Sequence, residues 1–133
     1  MWKKAAFAVM CLVCLSGCRV QNLAVGEGQE LEYELVEETE IPREMTEPIS
    51  GRREKPFLLT YADGGDLYIA RGYGRQETKG YEIQVDQLCE SENAIVLKTT
   101  LLGPETEEEA AGGPSCPYIV VRIEYSDKYV LTE

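Results

Sequence analysis

The sequence predicts a mainly β domain, an antiparallel β-sandwich or partly closed barrel with one N-terminal helix. Short runs of strand-favouring residues recur from Phe57 to the end, at roughly ten-residue spacing. Glycine, aspartate, serine and asparagine clusters separate them and supply the turns. Only the stretch from Ile41 to Lys55 carries helix signals.

Leu31-Glu32-Tyr33-Glu34-Leu35-Val36 alternates apolar and acidic residues, the period-2 pattern of a strand with one buried face. Pro42-Arg43-Glu44-Met45 suits a helix start with proline in the first turn, and Pro48 and Gly51 are expected to shorten or kink that helix. Phe57–Ala62 and Leu67–Ala70 read as strands of a hairpin. Asp63-Gly64-Gly65-Asp66 lies between them, its glycines giving the positive φ a tight turn needs. Tyr81, Ile83 and Val85 alternate with polar residues, and Ile95, Leu97, Thr99 and Leu101 repeat the pattern after Ser91-Glu92-Asn93, predicting a second hairpin with one wet face. Beyond a long loop from Gly103 to Pro117, the run from Tyr118 to Tyr125 starts almost continuously apolar and is expected at the centre of its sheet. Tyr129-Val130-Leu131-Thr132 gives a last short strand.

The N-terminal end has a different grammar. Lys3 and Lys4 precede an uncharged apolar run from Ala5 to Leu15, shorter than the roughly 20 residues a membrane-spanning helix requires. Charge, apolar run and small residues in that order form a signal-peptide pattern. Leu15-Ser16-Gly17-Cys18 resembles the lipobox of bacterial lipoproteins. That resemblance implies cleavage before Cys18, lipidation of Cys18, and attachment to the membrane of the cell envelope through this N-terminal lipid. The expected organisation is a signal peptide at 1–17, a tether at 18–30 and the β-rich domain at 31–133. Cys11 and Cys14 leave with the signal, and whether Cys89 and Cys116 pair is open from sequence, since pairing depends on Cα separation and Cβ direction.

Composition excludes whole classes of function. A net charge of −11, from 24 acidic and 13 basic residues, argues against nucleic acid as a partner, because phosphate contacts need clustered Lys and Arg. The absence of histidine removes the Ser-His-Asp triad and the His-based zinc site. Gly72-Tyr73-Gly74 is followed by Glu77 and a strand rather than by the helix a phosphate loop requires. Asp63-Gly64-Gly65-Asp66 lacks the further spaced oxygen ligands of a calcium loop. Glu105, Glu107, Glu108 and Glu109 read as a solvated mobile loop. No cofactor, metal or catalytic residue is therefore expected. Eight tyrosines, against two phenylalanines and one tryptophan, point instead to protein contacts, for tyrosine joins apolar area to a polar tip. Tyr73, Tyr81 and Tyr118 stand beside loops.

Leu67-Tyr68-Ile69-Ala70-Arg71-Gly72-Tyr73-Gly74, Thr78-Lys79-Gly80-Tyr81-Glu82-Ile83-Gln84-Val85 and Pro117-Tyr118-Ile119-Val120-Val121 together resemble the PrcB C-terminal domain family, in order and spacing. Leu101-Leu102-Gly103-Pro104 also fits. Glu77 and Lys79 stand where that family's Pro-Thr-Gly-Gly-Tyr motif has proline and its first glycine, so the turn is expected to differ in shape. The resemblance implies an accessory or assembly subunit of a surface protease complex, with no catalysis of its own. Partner contacts are expected at the loop edge carrying Thr78, Gly80, Tyr81, Pro117 and Tyr118, because binding residues sit on loops of a rigid β scaffold. Thr78-Lys79-Gly80-Tyr81 and Pro117-Tyr118 also resemble the inhibitory loops of chagasin-type cysteine-protease inhibitors, which are immunoglobulin-like sandwiches. Protease inhibition is the alternative that this second likeness implies.

Overall fold

The computed structural model describes residues 28–133. The expected signal peptide, Cys18 and most of the tether lie outside them. The described chain is a β-sandwich. Its elements in order are β1 (Gln29–Glu30), β2 (Glu34–Leu35), a 3-10 turn (Glu38–Glu40), α1 (Arg43–Arg52), β3 (Pro56–Asp63), β4 (Asp66–Tyr73), β5 (Glu82–Glu90), β6 (Ala94–Leu102), β7 (Tyr118–Glu124) and β8 (Tyr129–Thr132). They form two four-stranded sheets, β1-β5-β6-β8 and β2-β7-β4-β3, with no pairing that closes them into a barrel.

Each expected hairpin is present. Gly64 and Gly65, at φ 60° and 88°, make a two-residue turn whose twist matches the strands it joins, and Asp63 lies opposite Asp66. The β5–β6 ladder is interrupted between Val85 and Gln87. The extra residue, Asp86, changes which residues face the core: Val85 packs inward before it and Leu88 after it, as a β-bulge requires. β8 is the exception to the antiparallel pattern, since it runs parallel to β6.

The expected strand from Leu31 to Val36 is divided. Gln29 and Glu30 pair with β5 in one sheet, while Glu34 and Leu35 pair with β7 in the other. The chain crosses between sheets at Leu31, which packs into the core between them. The expected buried face is not formed: Leu31 and Val36 pack against the core, but Tyr33 and Leu35 between them are exposed. α1 starts after Pro42 and runs through both Pro48 and Gly51. Met45 and Ile49 hold it, being buried one turn apart on the same helix face.

The core has two layers. Leu67, Ile69, Leu88, Ile95, Leu97, Val121 and Ile123 fill the space between the sheets. Met45 and Ile49 of the helix, with Ile41, pack with Phe57, Tyr68, Ala70 and Val120 on the other face of the second sheet. Leu67–Ala70 of β4 is consequently buried on both faces, which is why that run is continuously apolar rather than alternating. β7 lies between β2 and β4, the central position its own apolar run predicts. Cys89 is buried in β5 and Cys116 precedes β7; no disulfide joins them. Among the described residues no helix is long and apolar enough to cross a membrane.

Candidate functional site

The loops expected to carry function lie at the end of the sandwich where β4 leaves its sheet. Gln76 and Ser115 bridge them with two main-chain hydrogen bonds, Gln76 N to Ser115 O at 2.7 Å and Ser115 N to Gln76 O at 3.1 Å. Ser115 Oγ donates to the Thr78 carbonyl at 2.7 Å, and Tyr73 N donates to the Pro117 carbonyl at 3.2 Å. The 74–81 segment is thereby fastened along 115–117.

Gly80 is the tightest point. It sits at φ +90°, and a Cβ there would lie 2.5 Å from the Glu109 carbonyl oxygen and 2.8 Å from Pro104 Cβ. Glycine is required both by the left-handed backbone and by the approach of the 104–109 turn. That turn is built, not loose. Thr106 Oγ1 accepts from Glu109 N at 3.1 Å, and the Glu109 carboxylate accepts from Glu105 N at 2.9 Å. The acidic cluster is solvent-exposed as the charge pattern predicts, yet the main-chain N–H of Glu105 is tied to the side chain of Glu109.

The five expected contact residues do not converge. Gly80 and Tyr81 line a cleft of about 540 Å³ with Glu82, Leu102, Gly103, Glu105 and Glu109. Pro117 and Tyr118 line another, of about 430 Å³, with Leu35, Val36, Glu38, Ile41, Cys116, Ile119 and Val120. Thr78 borders neither, and its hydroxyl donates to the Lys79 carbonyl. The Tyr81 ring faces Gly103, with three carboxylates around it and the side chain of Leu102 41% exposed beside it. Tyr118 instead leans on Phe57, ring centroids 6.4 Å apart. Burial raises its hydroxyl pKa above the ordinary tyrosine value, Glu38 adds to the shift and Arg53 opposes it.

Tyr73 has a structural task. Its hydroxyl lies 2.6 Å from Thr99 Oγ1, and the Arg71 guanidinium stacks over its ring at 4.2 Å. Among the described residues the buried Arg71 Nε has no hydrogen-bond partner, and stacking on the ring offsets part of that cost. The strongly exposed tyrosines are others: Tyr33, Tyr125 and Tyr129, the last 81% exposed. The sequence shows no difference between these and Tyr73, because strand parity near an edge depends on which strand lies alongside.

A third cleft, of about 930 Å³, opens where β1 crosses to β2. Glu30, Glu32, Glu34, Glu90, Glu124 and Asp127 line it, and two cations answer them: Arg122 pairs with Glu34, and Lys128 Nζ lies 2.8 Å from Glu90. No local signal could have found it, since its walls come from both sheets. Among the described residues no group of side chains is placed to hold a metal ion.

No curated protein sequence and no solved structure matches this chain. Residues 67–124, which run from β4 through both loops to the end of β7, match the family model described as PrcB C-terminal.

Proposed function

We propose that the chain is a membrane-anchored bacterial lipoprotein, acylated at Cys18, that presents a non-catalytic protein-binding domain and serves as an accessory or assembly subunit of a surface protease complex. One observation carries the choice of surface. The loop bearing Gly80 and Tyr81 is pinned to the sandwich by the Gln76–Ser115 bridge and by contact with the 104–109 turn. Binding residues held on loops of a rigid scaffold lose little entropy when a partner arrives. The Tyr81 cleft, rimmed by Glu82, Glu105 and Glu109, suits a basic segment of that partner, with the ring and Leu102 as its apolar floor.

The family match over residues 67–124 supports the accessory role, the absence of histidine supports a binding rather than a catalytic role, and Leu15-Ser16-Gly17-Cys18 supports the lipid anchor. The inhibitor alternative needs the 78–81 and 117–118 loops to act together, and their side chains line different clefts. The test uses the intact lipoprotein, captured from detergent-solubilised envelope. Protease activity is expected to co-purify with the wild type and to be lost with Tyr81→Ala at an unchanged melting temperature. Equal recovery with both proteins sinks the assignment of this cleft. Radiolabelled palmitate is expected to enter the wild type and not Cys18→Ala; label in both removes the anchor.

A further inference from the structure

β3 is the outer strand of its sheet, and the turn that follows decides which of its main-chain groups are free. In a two-residue hairpin the residues flanking the turn exchange both ladder bonds. Asp63, opposite Asp66, is therefore bonded to β4, and so by alternation are Tyr61, Leu59 and Phe57. The N–H and C=O groups of Leu58, Thr60 and Ala62 then point away from the sheet. The same alternation carried across β4 and β7 requires Tyr73 N to meet Pro117 O and Val36 N to meet Val120 O, and both bonds are present. Among the described residues no hydrogen bond reaches the outward groups of Leu58, Thr60 or Ala62.

Edge strands are ordinarily protected by charge, bulges or a covering segment. Pro56 opens this one, but from Phe57 to Ala62 it has neither a charged residue nor a proline and its register is unbroken. Its ends are charged, and oppositely. Arg52, Arg53 and Lys55 precede it, with Glu54 the one acid among them, whereas Asp63 and Asp66 follow it.

We propose that β3 pairs antiparallel with β3 of a second copy of the chain, continuing the sheet across a twofold axis. An antiparallel twofold places the basic end of each strand on the acidic end of the other, so the edge is complementary to itself. The register that uses this puts Leu59 on the axis, Leu58 opposite Thr60 of the second copy, and Lys55 opposite Asp63 of the second copy. Leu58 and Thr60 then exchange both main-chain bonds with the second copy, and Ala62 N–H meets the carbonyl of Pro56, which has no N–H to return. Centring on Thr60 instead sets Lys55 against Gly65 and leaves the charges unmatched. The net charge of −11 opposes self-association at a distance, so the contact depends on this local match.

Light scattering on the full chain in detergent, over a concentration series, is expected to show a monomer–dimer equilibrium. Lys55→Glu alone and Asp63→Lys alone should each weaken it about tenfold, because two attractive cross-strand contacts become repulsive. Mixing the two variants should restore a heterodimer of wild-type strength, which a folding defect would not do. Thr60→Pro, which removes an outward N–H but no bond to β4, should abolish the dimer at an unchanged melting temperature. A wild type that stays monomeric, or charge variants that associate as the wild type does, overturns the proposal. So does an edge that binds a foreign strand while the chain remains a monomer.

Discussion

The Tyr73 hydroxyl and Thr99 Oγ1 lie 2.6 Å apart and tie β4 of one sheet to β6 of the other. Apart from the apolar core, such a bond fixes the sheets where the functional loops leave them. Tyr73→Phe and Thr99→Val should each cost about 1 kcal/mol, and the double variant less than their sum, since the bond is lost once. Urea unfolding of the three variants measures the coupling; full additivity would show that the two hydroxyls act independently.

Gly80 and Gly103 border the same cleft but differ in what they tolerate. At Gly80 a Cβ meets main-chain and proline atoms and the backbone is left-handed. At Gly103 the nearest atom is a Tyr81 ring carbon at 3.5 Å, an ordinary contact. Gly80→Ala should therefore destabilise by about 1–3 kcal/mol, and Gly103→Ala by clearly less. Thermal unfolding separates them, and equal losses would count against the close approach of the 104–109 turn.

Asp86 supplies a pH dependence with a definite sign. Hydrogen bonds from Thr100 and then Gln84 hold its carboxyl below the usual aspartate value, against a smaller opposing effect of burial. A depressed folded-state pKa stabilises above the unfolded value near 3.9 and loses that contribution as pH falls through the folded value. Thr100→Val should raise the Asp86 pKa in an NMR titration and reduce the stability difference between neutral and acidic solution. An unmoved titration would remove the hydrogen bond as its cause.

Ile69 and Leu131 test the two-layer core. Ile69 is fully buried between the sheets and Leu131 is 53% exposed on β8. Ile69→Ala should cost about 2–5 kcal/mol through lost burial and the cavity left behind, while Leu131→Ala should stay within about 0.5 kcal/mol. Denaturant midpoints decide between them, and comparable losses would place β8 under cover.

What the sequence determines by itself is local. Two adjacent glycines between apolar runs dictate a tight turn, alternation over Tyr81–Val85 dictates a strand with a wet face, and the unbroken run at Tyr118–Val121 dictates a buried strand, because each signal lies within one element. The resemblance in the Thr78–Val85 and Pro117–Val121 motifs holds for the same reason, and the family match covers both. Tertiary structure alone decides what those elements face. It leaves Tyr33 and Leu35 of the Leu31–Val36 alternation exposed and turns β8 parallel to β6. It sends Tyr81 and Tyr118 into separate clefts and, among the described residues, leaves the β3 edge without a neighbour. Each of these depends on contacts between residues far apart in the chain, and periodicity carries the spacing of side chains along a strand but not the identity of the strand beside it.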